Sequence, residues 1–417
     1  MSIPAPRRAE DLSSPHRWLL FAAIMLPYVF YSFCWNTENF LRPFMAESLH
    51  LTKERVAAFY TLQALGALVG AVVLSQLADR FSRRLVYALI TAGFGIAALS
   101  TAFVDSYPSA LAQRFAMGFF LGGVFGCAVS LYVGLFSPQV RGLLAGLVQL
   151  VYNGGDAMLS WFGRYYASTD WHLVVELGGV GALLAAFFAW WLIPSETQVL
   201  PWGGADARPA NSKGSTLSEL FVAGRWRLTL RLALLCGLNF FAFQAFNGWI
   251  TTYLRELHGY SADTIGRLLT ALHVGSMIGA IAWGLVADRF GRRANAWGFV
   301  LSAMAIVVYL QAPPSPLVFA ATGFAYGLCL VASGVWGPFF AELYPEHLRA
   351  TAASIFNWGR IVSLFGALLA GSIAENFGLE VIMYTGAAVF VLAALVWWSL
   401  PETLQRRPAM SQQDADR

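Results

Sequence analysis

Charged residues are scarce in this sequence. Only 12% of its 417 residues are Asp, Glu, Lys or Arg, about half of the fraction that is usual in soluble globular proteins. Runs of about 20 residues without any of these four types recur along the chain, and each is long enough to cross a bilayer. The scarcity of charge almost excludes a soluble enzyme and indicates an integral membrane protein.

Cysteine is scarce too. The four cysteines lie inside apolar segments and no two of them form a CxxC pair, which argues against a disulfide framework or a zinc site and favours buried thiols. The sequence has no phosphate-binding G-x-x-x-x-G-K-[ST] loop, no HExxH and no nucleophile elbow. We therefore expect no enzyme activity, no metal and no cofactor. Because the ATP-binding loop is missing, we expect an ion gradient to supply the energy. The net charge of +4 is too small to indicate a nucleic-acid partner.

Apolar runs, separated by turn formers and charged residues, predict twelve transmembrane helices. Six precede a stretch from Pro194 to Arg227 that is rich in Pro, Gly, Ser and charge, as in a linker, and six follow it. The predicted fold class is an all-α membrane protein with two six-helix bundles. The predicted divisions are a tail (1–17), a bundle (18–193), a linker (194–227), a second bundle (228–400) and a second tail (401–417). The predicted spans are 18–41, 55–78, 85–104, 108–136, 142–164, 172–193, 229–254, 264–287, 294–311, 316–342, 350–374 and 379–400.

Lys and Arg are distributed unevenly between alternate loops. Most of the 27 basic residues fall on the side that carries both termini, and basic residues are retained in the cytoplasm. Both termini are therefore predicted to be cytoplasmic.

The sequence contains an internal repeat. Residues 77–84 (LADRFSRR) return 209 residues later as 286–293 (VADRFGRR), and 140–142 (VRG) return after 208 residues as 348–350 (LRA). Because each unit has an even number of helices, the two halves are expected to have parallel topology, related by an axis along the membrane normal.

The repeated segment resembles the hallmark motif of the major facilitator superfamily, G-x-x-x-D-R-x-G-R-R. The copy from Gly284 to Arg293 is complete, whereas Ser75 and Ser82 replace the glycines of the first copy. The segments 342–352 and 356–360 are similar to those of proton-linked carboxylate carriers, including aromatic-acid and sialate transporters. The resemblance covers essentially the whole chain. It implies a monomeric inner-membrane transporter that imports a small organic carboxylate with a proton by alternating access.

The resemblance also implies that the repeated motif closes the cytoplasmic side when the carrier faces outward. Gly291 suits a tight turn, Asp288 is expected to accept hydrogen bonds at a neighbouring helix N-terminus, and the arginines are expected to pair with acids such as Glu342. Plain positive-inside anchoring is the alternative for the individual arginines. The candidate gate residues are Asp79, Arg80, Arg83, Arg84, Arg141, Asp288, Arg289, Gly291, Arg292, Arg293, Glu342 and Arg349.

Arg360 is predicted about 15 Å inside the eleventh span, where an arginine costs at least about 2.5 kcal/mol on insertion scales. Its guanidinium is suited to hold a carboxylate by two parallel hydrogen bonds, although Asp156 of the fifth span is an alternative, structural partner. Polar residues on the fifth and seventh spans are expected to line the same cleft, or else to bond helices to each other. The candidate substrate-binding residues are Gln149, Tyr152, Asn153, Asp156, Asn239, Gln244, Asn247, Asn357, Trp358 and Arg360.

The candidate residues for proton coupling are Glu38, Arg114 and Asp156. In proton-coupled relatives, the arginine that corresponds to Arg114 pairs with an acid on the first helix. Here residues 32–36 (SFCWN) lack that acid, and Glu38 is the nearest one. An ordinary interfacial carboxylate is the alternative for Glu38. His273 is a further titratable group within a span, or else an interhelical hydrogen-bonding residue.

Two other functions remain open at this point. A neutral sugar or polyol carrier, or a drug exporter, would keep the fold and change the cargo. A transporter-like sensor would bind its ligand without carrying it across the membrane.

Overall fold

In a computed structural model of the chain, the described residues are 7–137, 140–194, 199–200, 217–221, 224–344 and 355–404. Short 3-10 segments cover Ala9–Asp11, Ser100–Phe103, Leu217–Leu220, Arg292–Asn295 and Val331–Val335, and the strands β1 (Arg7–Arg8) and β2 (Val199–Leu200) pair in parallel. The α-helices are α1 (Ser14–Ser48), α2 (Lys53–Arg80), α3 (Arg83–Leu99), α4 (Tyr107–Val133), α5 (Arg141–Tyr166), α6 (Trp171–Leu192), α7 (Trp226–Asn247), α8 (Ile250–Glu256), α9 (Ala262–Phe290), α10 (Ala296–Gln311), α11 (Pro316–Leu330), α12 (Trp336–Glu342), α13 (Ile355–Asn376) and α14 (Leu379–Trp398).

The described helices include ten that are long and apolar enough to cross a membrane. They coincide with ten of the predicted spans. The fifth and eleventh predicted spans fold as α5, with 26 residues, and α13, with 22 residues. Both are long enough to cross a bilayer. The fold is therefore helical, with ten to twelve spans.

Two predicted spans are interrupted rather than continuous. The seventh consists of α7 followed directly by α8, and the tenth consists of α11, the 3-10 turn Val331–Val335 and α12. The first span is longer than predicted, because α1 continues to Ser48. Arg42, expected in a loop, therefore lies inside α1 and is only 2% exposed. It can remain there because Glu38, one turn earlier, neutralises its charge.

The helices pack in two groups. In the first group, α1–α6, the closest neighbours include α2 with α4 and α3 with α6. In the second group, α7–α14, they include α9 with α11 and α7 with α13. The two groups meet along α5 and α9 and along α2 and α13.

Glycines allow the closest of these helix contacts, and they recur with the period of the sequence repeat. A Cβ atom at any of them would collide with a backbone carbonyl oxygen of the facing helix, so only glycine permits this separation of the helix axes. Three of those between α2 and α4 return 209 residues later between α9 and α11. The pairs are Gly66 with Gly275, Gly70 with Gly279, and Gly118 with Gly327. The duplication therefore extends from the motif to the packing.

The loops divide between two ends of the molecule. We call the end that carries residues 49–52, 167–170, 257–261 and 377–378 the sealed end. We call the opposite end, with Arg7 and Leu404 at the limits of the described chain, the tail end.

Candidate functional site

A cavity that is partly open to solvent lies between the two groups of helices. Side chains of α1 and α5 line it from the first group, and side chains of α7, α8 and α9 line it from the second. Apolar residues such as Phe40 and Phe243 form the rest of the wall. Its polar lining consists of Asn36, Asn39, Asp156, Ser160, Asn247, Thr251 and His273.

Asp156 projects from α5 towards α1 and is 4% exposed. Its Oδ1 atom accepts hydrogen bonds from the Ser32 hydroxyl, at 2.5 Å, and from the Asn36 side-chain amide, at 2.6 Å. The helices approach closely here because residue 155 is glycine, where a Cβ would meet the carbonyl oxygen of Val29. The segment of α1 that lacks the expected acid therefore holds an acid supplied by α5.

His273 faces Asp156 from the opposite wall. It lies on α9, and its Nδ1 atom is 4.0 Å from Asp156 Oδ2. Among the side chains that line the cavity, these two alone are acidic or basic. The charge of the cavity is therefore set by one carboxyl and one imidazole, each from a different group of helices.

Aromatic side chains lie next to this pair. Asn36 also donates a hydrogen bond to the Tyr152 hydroxyl, at 3.1 Å, and the Tyr152 ring lies 5.9 Å from Tyr31 and 6.3 Å from Tyr28, between ring centroids. Trp35 continues the row, 6.1 Å from Tyr31. These α1 residues were not among the predicted site residues. They are three and four residues apart and therefore lie on one helix face. This spacing is the feature of the sequence from which they could have been predicted.

The predicted amides have different environments. Asn247 lines the cavity and accepts a hydrogen bond from the Tyr326 hydroxyl, at 2.6 Å. Gln244 donates to Asn39 Oδ1 at 3.0 Å and so bonds the two groups to each other. Asn153 donates to the backbone oxygen of Gln149 within α5.

Four predicted binding residues remain to be located. Asn239 is buried in α7. Asn357, Trp358 and Arg360 belong to α13, but their side chains lie outside the described residues. Their roles stay predictions.

A buried charged cluster lies between the cavity and the sealed end. Arg42 donates from Nε and Nη2 to the two carboxylate oxygens of Glu38, at 2.9 and 2.8 Å. Arg114 donates instead to Thr37 Oγ1, at 2.9 Å, and to Gln63 Oε1, at 3.4 Å. The expected pairing of Arg114 with Glu38 is therefore wrong, because Arg42 lies one turn along the same helix as Glu38 and takes both oxygens.

The burial of this cluster corrects a second expectation. Glu38 is 0% exposed, and Arg114 is 1% exposed. Glu38 is thus not an interfacial carboxylate. The cluster contains two guanidinium groups and one carboxylate, so one positive charge in it is balanced by neutral hydrogen-bond acceptors alone among the described residues.

Ion pairs join the two groups at the sealed end. Arg255 Nη2 lies 2.6 Å from Glu47 Oε2, and Lys53 Nζ lies 3.0 Å from Glu256 Oε2. Nearer the cavity, the Arg42 guanidinium lies 4.4 Å from the ring centroid of Trp249. Each contact links the first group to the second, so the molecule is closed at this end.

The second copy of the repeated motif forms a compact network at the tail end. Gly291 has φ +102°, which suits glycine and confirms the predicted tight turn. Arg292 pairs with Asp288 at 3.0 Å and with Glu342 at 3.1 Å, as expected for Glu342. Asp288 was expected at a helix N-terminus, but its described hydrogen bond is to the Arg292 side chain. Glu402 instead accepts from the backbone N–H groups at this turn.

Glu402 is stabilised as a carboxylate. Its partial burial acts to raise its pKa, but hydrogen bonds from the backbone N–H groups of Leu404, Arg293, Arg292 and Thr403 outweigh the effect of burial. The pKa of Glu402 is therefore below that of an ordinary glutamate, because these bonds favour the charged form.

The first copy of the motif has a different turn. Ser82 has φ −63°, so this loop needs no left-handed residue. Arg84 donates to the backbone oxygen of Ile193 at 3.2 Å, within the first group. The side chains of Asp79 and Arg141, and the whole of Arg349, lie outside the described residues.

Together, these features define a class of protein. Membrane-spanning helices in two groups enclose a polar cavity and are bonded across one end, which is the arrangement of a carrier that opens to one side at a time.

The comparisons with known proteins give the family. The sequence model of the Major Facilitator Superfamily matches residues 24–266 and 232–415. The chain therefore belongs to this superfamily, and it is a membrane transporter rather than an enzyme.

Several relatives and structures are similar over nearly the full length. A gallate transporter of Pseudomonas putida is 24% identical, over 95% of this chain and 94% of its own. A 4-hydroxybenzoate transporter of Acinetobacter baylyi is 22% identical, over 87% of this chain and 86% of its own. The crystal structure of a D-xylose–proton symporter has the same fold, with a TM-score of 0.73 over 93% of this chain and 98% of that chain, at 15% identity.

Proposed function

We propose that this chain imports a small aromatic carboxylate together with a proton. The observation that carries the proposal is the cavity between the two groups, which combines the Asp156–His273 pair with the aromatic rings of Phe40 and Phe243. A ring and a carboxylate need apolar surface beside a few placed polar groups. The cargo named for the relatives, gallate and 4-hydroxybenzoate, has this chemistry.

The proposed topology has twelve spans, with both termini in the cytoplasm of an inner-membrane protein that works as a monomer. The distribution of Lys and Arg supports it. The boundaries 18–193 and 228–400 are proposed for two pseudo-symmetric bundles, supported by the recurrence of the glycine contacts after 209 residues. On this topology the sealed end faces outward, and the carrier is open to the cytoplasm.

Arg360 is proposed to bind the cargo carboxylate, with Asn357, Gln149 and Tyr152 orienting it. The support is its position in α13, which packs against α7 and α2. A permanently charged guanidinium within a span is expected to serve a substrate or a partner. Among the candidates for the proton, Asp156 lines the cavity and Glu38 does not.

The first test is ligand-dependent stability. Purified protein at pH 6 is heated with gallate, 4-hydroxybenzoate, neutral sugars or cationic drugs, because a ligand of the native state raises its apparent stability. We expect the aromatic acids to raise the melting temperature and an inward proton gradient to drive their accumulation in vesicles. Stabilisation by sugars or cations alone would contradict the proposal.

The second test addresses Arg360. Arg360→Gln is expected to weaken carboxylate binding about 10- to 100-fold, the usual effect of losing a charged hydrogen bond. Arg267→Gln is the control, since Arg267 is exposed at the sealed end. Full affinity in Arg360→Gln would contradict this role of Arg360 and would favour a neutral cargo or another cation for the carboxylate. Ligand binding without any uptake in vesicles would favour a sensor.

A further inference from the structure

We infer that Asp156 and His273 form the proton-coupling site, and that His273, in place of Arg360, becomes the cation that receives the cargo carboxylate. The inference rests on the proposed function and assigns residues to it. The two side chains lie on α5 and α9, on opposite walls of the cavity, with His273 Nδ1 4.0 Å from Asp156 Oδ2. Each group of helices therefore supplies one half of the site.

Charge balance dictates the coupling. A pair made of one carboxyl and one imidazole that shares one proton is neutral overall, whichever residue holds the proton. A carboxylate that enters the cavity adds a negative charge, and an unbalanced charge away from water is costly. One further proton from the aqueous phase leaves Asp156 as a neutral acid and His273 as an imidazolium. The imidazolium and the carboxylate then neutralise each other, so one proton enters with each carboxylate.

The hydrogen bonds of Asp156 suit this exchange. Ser32 and Asn36, which are both uncharged, donate to Oδ1. The other oxygen, Oδ2, is the one that faces His273. A proton can therefore sit on Oδ2 without breaking either bond to α1, and the carboxyl stays in place while its charge changes.

Other ionisable groups near this level have partners of their own. Glu38 pairs with Arg42 on α1, and Arg164 of α5 lies 3.5 Å from Asp263 of α9. The hydroxyls of Tyr152 and Tyr326 bond to asparagine amides. The remaining acid on α6, which packs against α5, is Glu176, and no described ion pair joins it to Asp156 or His273. Within the described residues, the one ion-pair contact of Asp156 is His273.

The test counts protons during binding. Titration calorimetry of the full-length protein with 4-hydroxybenzoate, in two buffers of equal pH but different ionisation enthalpy, gives the number of protons taken up per ligand. We expect about one for the wild type. Asp156→Asn should still take up about one proton, on His273, because asparagine is neutral like the protonated acid, whereas His273→Gln should bind the ligand with an uptake near zero. Asp105→Asn, an exposed aspartate, is the matched control and should behave as the wild type.

The second measurement concerns the histidine. His273→Gln should weaken binding about 10- to 100-fold, because a charged hydrogen bond to the carboxylate is lost. His16→Gln, at an exposed position, should leave the affinity unchanged. In vesicles, His273→Gln should still exchange labelled for unlabelled 4-hydroxybenzoate, but it should not accumulate the ligand under a proton gradient.

Several results would overturn the inference. They are a proton count of zero in the wild type, a count that persists in His273→Gln, or a count that vanishes in Glu38→Gln instead. Carboxylate transport that survives unchanged in Asp156→Asn and His273→Gln would overturn it and leave the proposed function standing. A wild type that neither binds nor carries the acids would overturn the proposed function as well. If Asp156→Asn does not fold, the number of protons that the wild type takes up per ligand and the ligand affinity of His273→Gln still test the inference.

Discussion

Replacing Glu38 with glutamine should destabilise the protein more than replacing its partner Arg42. The cluster of Glu38, Arg42 and Arg114 contains two cations and one anion, all at most 2% exposed. Glu38→Gln leaves two buried guanidinium groups with no carboxylate. Arg42→Gln leaves Glu38 near Arg114, which interacts with it electrostatically, and brings the cluster to neutrality.

The magnitudes follow from the burial. Removing one partner of a buried ion pair costs about 3–5 kcal/mol, because the other charge stays uncompensated, and we expect this loss for Glu38→Gln. For Arg42→Gln we expect about 1–2 kcal/mol, chiefly from the lost contact with the Trp249 ring. The double variant should be more stable than Glu38→Gln alone.

Unfolding of the purified variants in a denaturing detergent, followed by circular dichroism, gives the free energies of unfolding. Arg267→Gln is the control, because exposed ion pairs contribute about 0–1 kcal/mol. Equal losses for Glu38→Gln and Arg42→Gln, or a larger loss for Arg42→Gln, would refute the charge-balance reasoning.

Three further predictions concern packing and the two ends of the molecule. Gly70→Ala should lower the melting temperature or prevent folding, since the new Cβ would collide with the backbone of α4, whereas Gly146→Ala has open space and should not; equal melting temperatures would contradict this. Because the pKa of Glu402 is lowered, its stabilising effect is present above the ordinary glutamate pKa of about 4.3 and is lost as the pH falls through the lowered value. Glu402→Gln should therefore melt below the wild type at pH 7, with a gap that closes in acid, and a gap that is independent of pH would count against the contacts. Glu47→Arg would place a second cation against Arg255 at the sealed end. It should therefore speed the labelling of an introduced cavity cysteine by a membrane-impermeant thiol reagent added from that side. Adding Arg255→Glu in the same chain should restore the slow rate, and a failure to restore it would argue against this pair as a closing contact.

Much of the fold is predictable from the sequence because each span is coded locally. A run of apolar residues long enough to cross a bilayer identifies a helix without knowledge of its neighbours. The exceptions have a physical reason. Arg42 ended the first predicted span, since a lone charge disfavours the membrane, but Glu38 four residues earlier allows the helix to continue.

The candidate site is less predictable, because its partners come from distant parts of the chain. Periodicity places Tyr152 and Asp156 on one face of α5, and both contact Asn36 of α1. It does not reveal that His273, 117 residues further along, faces the same carboxyl. Which residues meet across two helices depends on their relative rotation and height, and these are set by glycine contacts such as that of Gly155 with α1.

Helices that touch backbone to backbone move as rigid bodies, because no side chain between them can change rotamer. The glycine contacts make one such body of α2 with α4 and another of α9 with α11. Each meets the opposite group through a different helix, α13 or α5. When the carrier changes the side to which it opens, the relative motion of the two groups falls at the contacts of α2 with α13 and of α9 with α5.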